Sequence, residues 1–68
     1  MSTIKVTILD ALVEKLRGEI SVAKANVLVY LNNPVGIGEH PEVVQAIESQ
    51  IEVIAAAQEK LDIINKQF

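Results

Sequence analysis

The residues with the most chemistry to offer lie in one stretch, NNPVGIGEHPE at positions 32–42. It holds both prolines, two of the three glycines and the only histidine. An imidazole between two carboxylates, His40 between Glu39 and Glu42, is a donor set that a divalent cation can use. A two-fold axis could double that set, and Pro41 stiffens the backbone beside it. One histidine and no cysteine, however, leave a structural zinc site short of ligands. A lone histidine at a helix start is ordinarily a capping or exposed side chain, so no metal and no cofactor is expected.

Gly36-Ile37-Gly38 resembles the opening of a phosphate-cradling turn. Such a turn needs a preceding strand, a third glycine and usually a following Lys-Ser/Thr. Here Pro41 stands where the third glycine belongs, and Glu39 and Glu42 would repel an anion at the helix start. Catalysis is poorly supported as well. Ser2, Ser21 and Ser49 have no histidine or carboxylate in a triad-like arrangement. The pairs Glu48/Glu52 and Glu59/Asp62 lie on a polar helix stripe, and the Glu-x-x-His of di-iron bundles is missing. The chain is read as non-enzymatic. Val35, Gly36, Ile37, Gly38 and His40 form the candidate loop site for a ligand or metal.

The elements that hold this loop are two helices. In the first, Leu9, Val13, Leu16, Ile20, Ala23, Val27 and Tyr30 follow an unbroken 4-3 spacing, a heptad seam. Thr7 is the expected N-cap, with Asp10 at N3. Asn32 and Asn33 are suitable C-cap residues, and Pro34 discourages continuation. In the second, Val43, Ile47, Gln50, Ile54, Ala57, Leu61, Ile64 and Phe68 keep the same spacing, with Gln50 the one polar member. Val44 and Ile51 widen this stripe. Pro41 suits the first helical position with His40 as N-cap. Each helix of about 25 residues would extend roughly 38 Å. The expected organisation is helix 7–32, loop 33–40 and helix 41–67. Equal helices joined by a short loop form an antiparallel hairpin, placing Tyr30 near Val43 or Val44 and Leu9 near Ile64 and Phe68.

A second row accompanies each seam. It runs Ala11, Lys15, Gly18, Val22, Ala25, Val29 on the first helix and Ala46, Ser49, Val53, Ala56, Lys60, Ile63 on the second. A helix with two apolar rows and one wet strip has more than one neighbour. A lone hairpin supplies one neighbour per helix, whereas two hairpins in a four-helix bundle supply two. Gly18 costs about 1 kcal/mol relative to alanine in mid-helix. Close packing against Ala55, Ala56 and Ala57 would explain it; the alternative is a break near Arg17. Ile4, Val6 and Ile8 alternate with Lys5 and Thr7, which leaves a short strand over residues 3–8 as the competing reading.

Composition supports association. A chain of 68 residues makes one small domain, and such chains usually need a staple. Disulfides are excluded by the lack of cysteine, which leaves oligomerisation. Half the residues are apolar and the mean hydropathy is +0.33. A net charge of −3 and a pI near 4.9 argue against a phosphate-backbone binder. Tyr30 and Phe68 are the only aromatics, too few for base-stacking platforms. The longest apolar run, VLVYL at 27–31, is too short to span a bilayer, and no targeting segment is visible at the start. A cytoplasmic protein is expected. Val35 and Ile37 are expected to fold over the end of the bundle near Tyr30 and Val44.

The run YLNNPVGIGEHPEVVQAIESQIEVIAAAQEKLDII, residues 30–64, resembles small helical proteins encoded by T4-like tailed phages, including marine ones. The shared pattern is a Tyr-Leu-Asn helix end, the loop Asn-Pro-Val-Gly-Ile-Gly-Glu-His-Pro, and an acidic helix with an Ala-rich centre. The resemblance implies expression inside an infected bacterium and brings no catalytic residues with it. Together these readings give an all-α antiparallel hairpin that dimerises into a four-helix bundle. Its expected role is that of a small accessory protein with an unidentified protein partner. Ligand or metal binding by the loop is the alternative, and an acidic decoy for a nucleic-acid-binding protein is a third.

Overall fold

The computed structural model describes residues 3–32 and 40–68. It contains two α-helices, α1 (Thr3–Asn32) and α2 (His40–Gln67), packed along each other as a hairpin. The Cα extents are 52 × 16 × 12 Å, so the molecule is one helix long and two helices wide.

The seam residues hold the helices together. Leu16, Ile20, Ala23, Val43, Ala57 and Leu61 are buried, and Leu16 is the largest side chain fully removed from solvent. Leu16 and Ile20 pack with Ala57 and Leu61, and Val13, Ile54 and Ile64 close around them. Leu9, Val27, Tyr30 and Ile47 are half-buried along the same stripe. Alanine at 23 and 57 lets the backbones approach while the leucines and isoleucines fill the space between. Phe68 departs from the expected seam: it lies beyond α2 and is 75% exposed, although its N–H still donates to the Ile64 carbonyl at 3.0 Å. With its backbone outside the helix, its ring is not held on the core stripe. Val44 and Ile51 are likewise more than half exposed and do not widen the buried core.

The start of α1 corrects the expected boundary. The helix begins at Thr3, four residues before Thr7, so Thr7 is an interior residue and not the N-cap. Ile4, Val6 and Ile8 are helical, which removes the strand reading for residues 3–8. The alternation there is too short to form a strand without a partner, whereas helical hydrogen bonds satisfy the same backbone locally. At its other end α1 stops at Asn32, whose Nδ2 donates to the Leu28 carbonyl at 2.7 Å. The bond ties the Asn32 side chain back onto the preceding turn. α2 opens at His40, one residue earlier than expected, with Glu42 in its first turn and Lys66 in its last, both favourable to the helix dipole.

Gly18 is the second correction. α1 runs through it unbroken. Yet a Cβ built on it meets nothing within 4 Å, so it does not pack against Ala55, Ala56 or Ala57. At 100° per residue, Gly18 stands about 200° around the helix from both Leu16 and Ile20, on the side away from α2. Of the three alanines, Ala57 alone faces the core; Ala55 and Ala56 are exposed.

Candidate interaction face

The hairpin buries little and exposes much. Thirteen large apolar side chains are exposed among the described residues, against six buried ones in the core. The total accessible surface is 5240 Å². A folded monomer of 7.4 kDa exposes about 4200 Å². Aliphatic side chains contribute to it: Ile8, Val22 and Val29 are 63%, 63% and 57% exposed.

These side chains have a definite place. A shallow depression on one side of the hairpin is lined by Gly18, Glu19, Val22 and Ala23 from α1 and by Gln50 and Val53 from α2. Gly18 and Val22 of the first row and Val53 of the second border this side of the molecule. Gly18 and Val22 are exposed there; elsewhere in the rows Ala25 and Ala56 are exposed and Ala46 is half-buried. The missing side chain at Gly18 opens one wall of the depression. On the opposite side, Lys24, Val27, Leu28, Ile51 and Ile54 line an apolar groove toward the end of α1. Further along that side the lining turns polar, with Arg17, Ser21, Gln58 and Asn65 beside Val13, Ile20 and Leu61.

Two polar features mark the first side. Asn26 Nδ2 donates to Gln50 Oε1 at 3.1 Å, a half-buried bond between the helices. Gln50, the one polar residue in its seam, is thereby satisfied, and its partner Asn26 lies one position off the α1 seam beside Val27. Sequence reasoning missed Asn26. No sequence signal paired it with Gln50, because the pairing depends on which residues of the two helices stand level. Lys15 Nζ also donates to Glu19 Oε1 at 2.7 Å, with side chains 69% and 38% exposed. That hydrogen bond, then the Lys15 charge, holds the Glu19 carboxyl below its ordinary 4.5; slight burial opposes the shift, and the Lys60 charge adds to it from α2.

The chemistry weighed in the sequence finds no assembled site among the described residues. No cluster of three metal-ligating side chains occurs there, and no buried polar atom lacks a partner. Ser49 Oγ donates to the Ala46 carbonyl at 2.8 Å, a local helix bond rather than a nucleophile arrangement. Asp62 accepts from Gln58 Nε2 at 3.1 Å on the polar stripe. Val35, Gly36, Ile37 and Gly38 lie outside the described residues, as does the expected folding of Val35 and Ile37 over the bundle end. His40 is the first residue of α2. No described helix is long and apolar enough to cross a membrane. Compared with protein-family models, curated proteins and solved structures, the chain matches none.

Proposed function

We propose that the chain works as a non-enzymatic, self-associating interaction protein. Two hairpins pair through the side that carries Gly18, Val22, Val29, Val53 and Ile63, forming a four-helix bundle. The observation that supports this is the apolar row left exposed beside the core: Val22, Val29, Val53 and Ile63 are 63%, 57%, 40% and 47% exposed. A bundle gives that row a second neighbour, and burying it contributes roughly 25 cal/mol per Å². A core of six side chains is small for a chain this size to fold alone. The proposed role is accessory: the bundle presents its acidic outer stripe, including Glu48, Glu52, Glu59 and Asp62, to another protein. Following the resemblance to phage-encoded proteins, the proposed setting is the cytoplasm of an infected bacterium. Sedimentation equilibrium tests the association. A mass twice the 7.4 kDa of the chain is expected, and a folded species of single-chain mass at micromolar concentration would refute the reading.

A further inference from the structure

Self-association leaves the helix pairing and its register to be assigned, and α1 itself supplies an answer. The side holding the Gly18–Val22–Val53 depression carries, along α1, Ile8, Leu12, Lys15, Glu19, Val22 and Asn26 at 4-3 spacing. Against a second copy running the opposite way, this stripe complements itself. Setting Leu12 opposite Val22 of the copy also sets Lys15 opposite the copy's Glu19, and Ile8 opposite the copy's Asn26. A parallel copy in register would place Lys15 on Lys15 and Glu19 on Glu19. An antiparallel copy slipped by one heptad would place Glu19 against an apolar side chain.

We infer that α1 packs antiparallel on α1 of a second copy, with the two-fold axis at the level of Arg17, so that Lys15 of each chain meets Glu19 of the other. This rests on the self-association reading above. Charge and area together point to a second copy as the occupant. The face is neither uniformly apolar nor of one sign: its centre carries one cation and one anion, arranged so that only a reversed copy matches both. Lys15 is 69% exposed within the chain, so its ammonium remains available. A carboxylate has two acceptor oxygens, so Glu19 can keep its own Lys15 and receive a second. The open space beside Gly18 admits the aliphatic stem of the copy's Lys15. The 5240 Å² surface, about 1000 Å² above that of a compact monomer of this mass, is of the order that a standard dimer interface removes per partner.

The chain has no cysteine, so engineered disulfides read the register directly. In the Leu12→Cys/Val22→Cys variant the two thiols of one chain lie about 15 Å apart along α1, beyond bridging distance. Mild oxidation is therefore expected to give a covalent dimer of the double variant on a non-reducing gel, while Leu12→Cys and Val22→Cys alone stay single. Ile8→Cys/Asn26→Cys, set opposite each other in the same register, is expected to cross-link as well. All four positions are exposed or flank the core, and circular dichroism checks that each variant remains helical. If the native chain sediments as a dimer but neither double variant cross-links, the α1–α1 register is wrong and the association stands. Cross-linking by Val22→Cys alone, as readily as by the double variant, would also overturn the register. A native chain of single mass would overturn the association itself.

Discussion

Asn26 and Gln50 join the two helices amide to amide: Asn26 Nδ2 donates to Gln50 Oε1 at 3.1 Å across the hairpin. Both residues are half-buried. A polar pair placed within an otherwise apolar seam contributes less to stability than to uniqueness. Any slip of α2 along α1 separates the amides and leaves two groups without partners.

Replacing one amide should therefore cost more than replacing both. Gln50→Leu leaves the Asn26 amide unpaired and is expected to cost about 1 to 3 kcal/mol, nearer the lower figure because the site is only half-buried. Asn26→Leu/Gln50→Leu is expected to be near neutral in stability. Urea melts of the two single variants and the double variant, at one fixed concentration, give the coupling energy. Equal losses in all three would show that the bond does not hold the register.

Leu16→Ala tests the core. Leu16 is 1% exposed and packs in the cluster with Ile20, Ala57 and Leu61. The truncation is expected to cost about 2 to 5 kcal/mol, since the side chain is fully buried and a cavity is left between two helices. Val22→Ala, on the exposed row, should leave the single hairpin almost unchanged and act on association instead. A thermal melt and a sedimentation run on both variants separate the two effects.

Gly18→Leu tests the exposed face. In the single hairpin a side chain at this position enters open space, and leucine favours helix over glycine by up to about 1 kcal/mol. In the bundle the same side chain stands where a second copy must come close. Overpacking of about 1 to 3 kcal/mol corresponds to a rise of roughly fivefold to a hundredfold or more in the dimer dissociation constant. Helicity should be retained as association weakens. Unchanged association would place the contact elsewhere on the molecule.

Charge exchange separates bonds within a chain from bonds between chains. Lys15→Glu and Glu19→Lys each place like charges at i,i+4 and each repel their own copy. Mixed together, they match across the α1–α1 contact while their internal repulsions persist. The mixture is expected to form heterodimers in preference to either homodimer, and the preference should fade at high salt. Native mass spectrometry of the mixture reads the ratio; a statistical distribution would contradict the pairing of Lys15 with Glu19 between chains.

The Glu19 carboxyl itself gives a pH signature. Lys15 holds its pKa below 4.5 in the folded chain. A carboxylate with a depressed folded value stabilises the fold above its unfolded pKa, and that contribution is lost as pH falls through the folded value. The effect therefore belongs below pH 4.5. Because the group is exposed, the change in stability should be small. Lys15→Met should raise the Glu19 pKa toward its ordinary value, observable by NMR titration of the side-chain carboxyl.

Periodicity made the hairpin legible in the sequence. Leu16, Ile20, Ala23, Ala57 and Leu61 are buried where the 4-3 spacing places them, and α1 ends at Asn32 as expected. The beginning of α1 was not legible. Ile4, Val6 and Ile8 carry β-branched side chains whose local preference opposes helix, and the helix extends through them because no strand partner exists among the described residues. Gly18 was misplaced for a different reason. Sequence spacing grouped it with Ala11 and Ala25, and the level of the α2 alanines suggested a contact that its angle of about 200° from Leu16 and Ile20 rules out. The Asn26–Gln50 bond depends on which residues of two helices stand level, which only the packed register reveals.

The central claim is that one hairpin is incomplete without a second. The concentration dependence of thermal unfolding tests it most directly. If the exposed row on Val22, Val29, Val53 and Ile63 is covered by a second copy, folding and association are linked, and Tm rises with chain concentration. Circular dichroism melts over a wide dilution series are expected to show that rise, with helicity lost at the lowest concentrations. A Tm that stays constant throughout, with full helicity at the greatest dilution, would mean that the hairpin folds and stands alone.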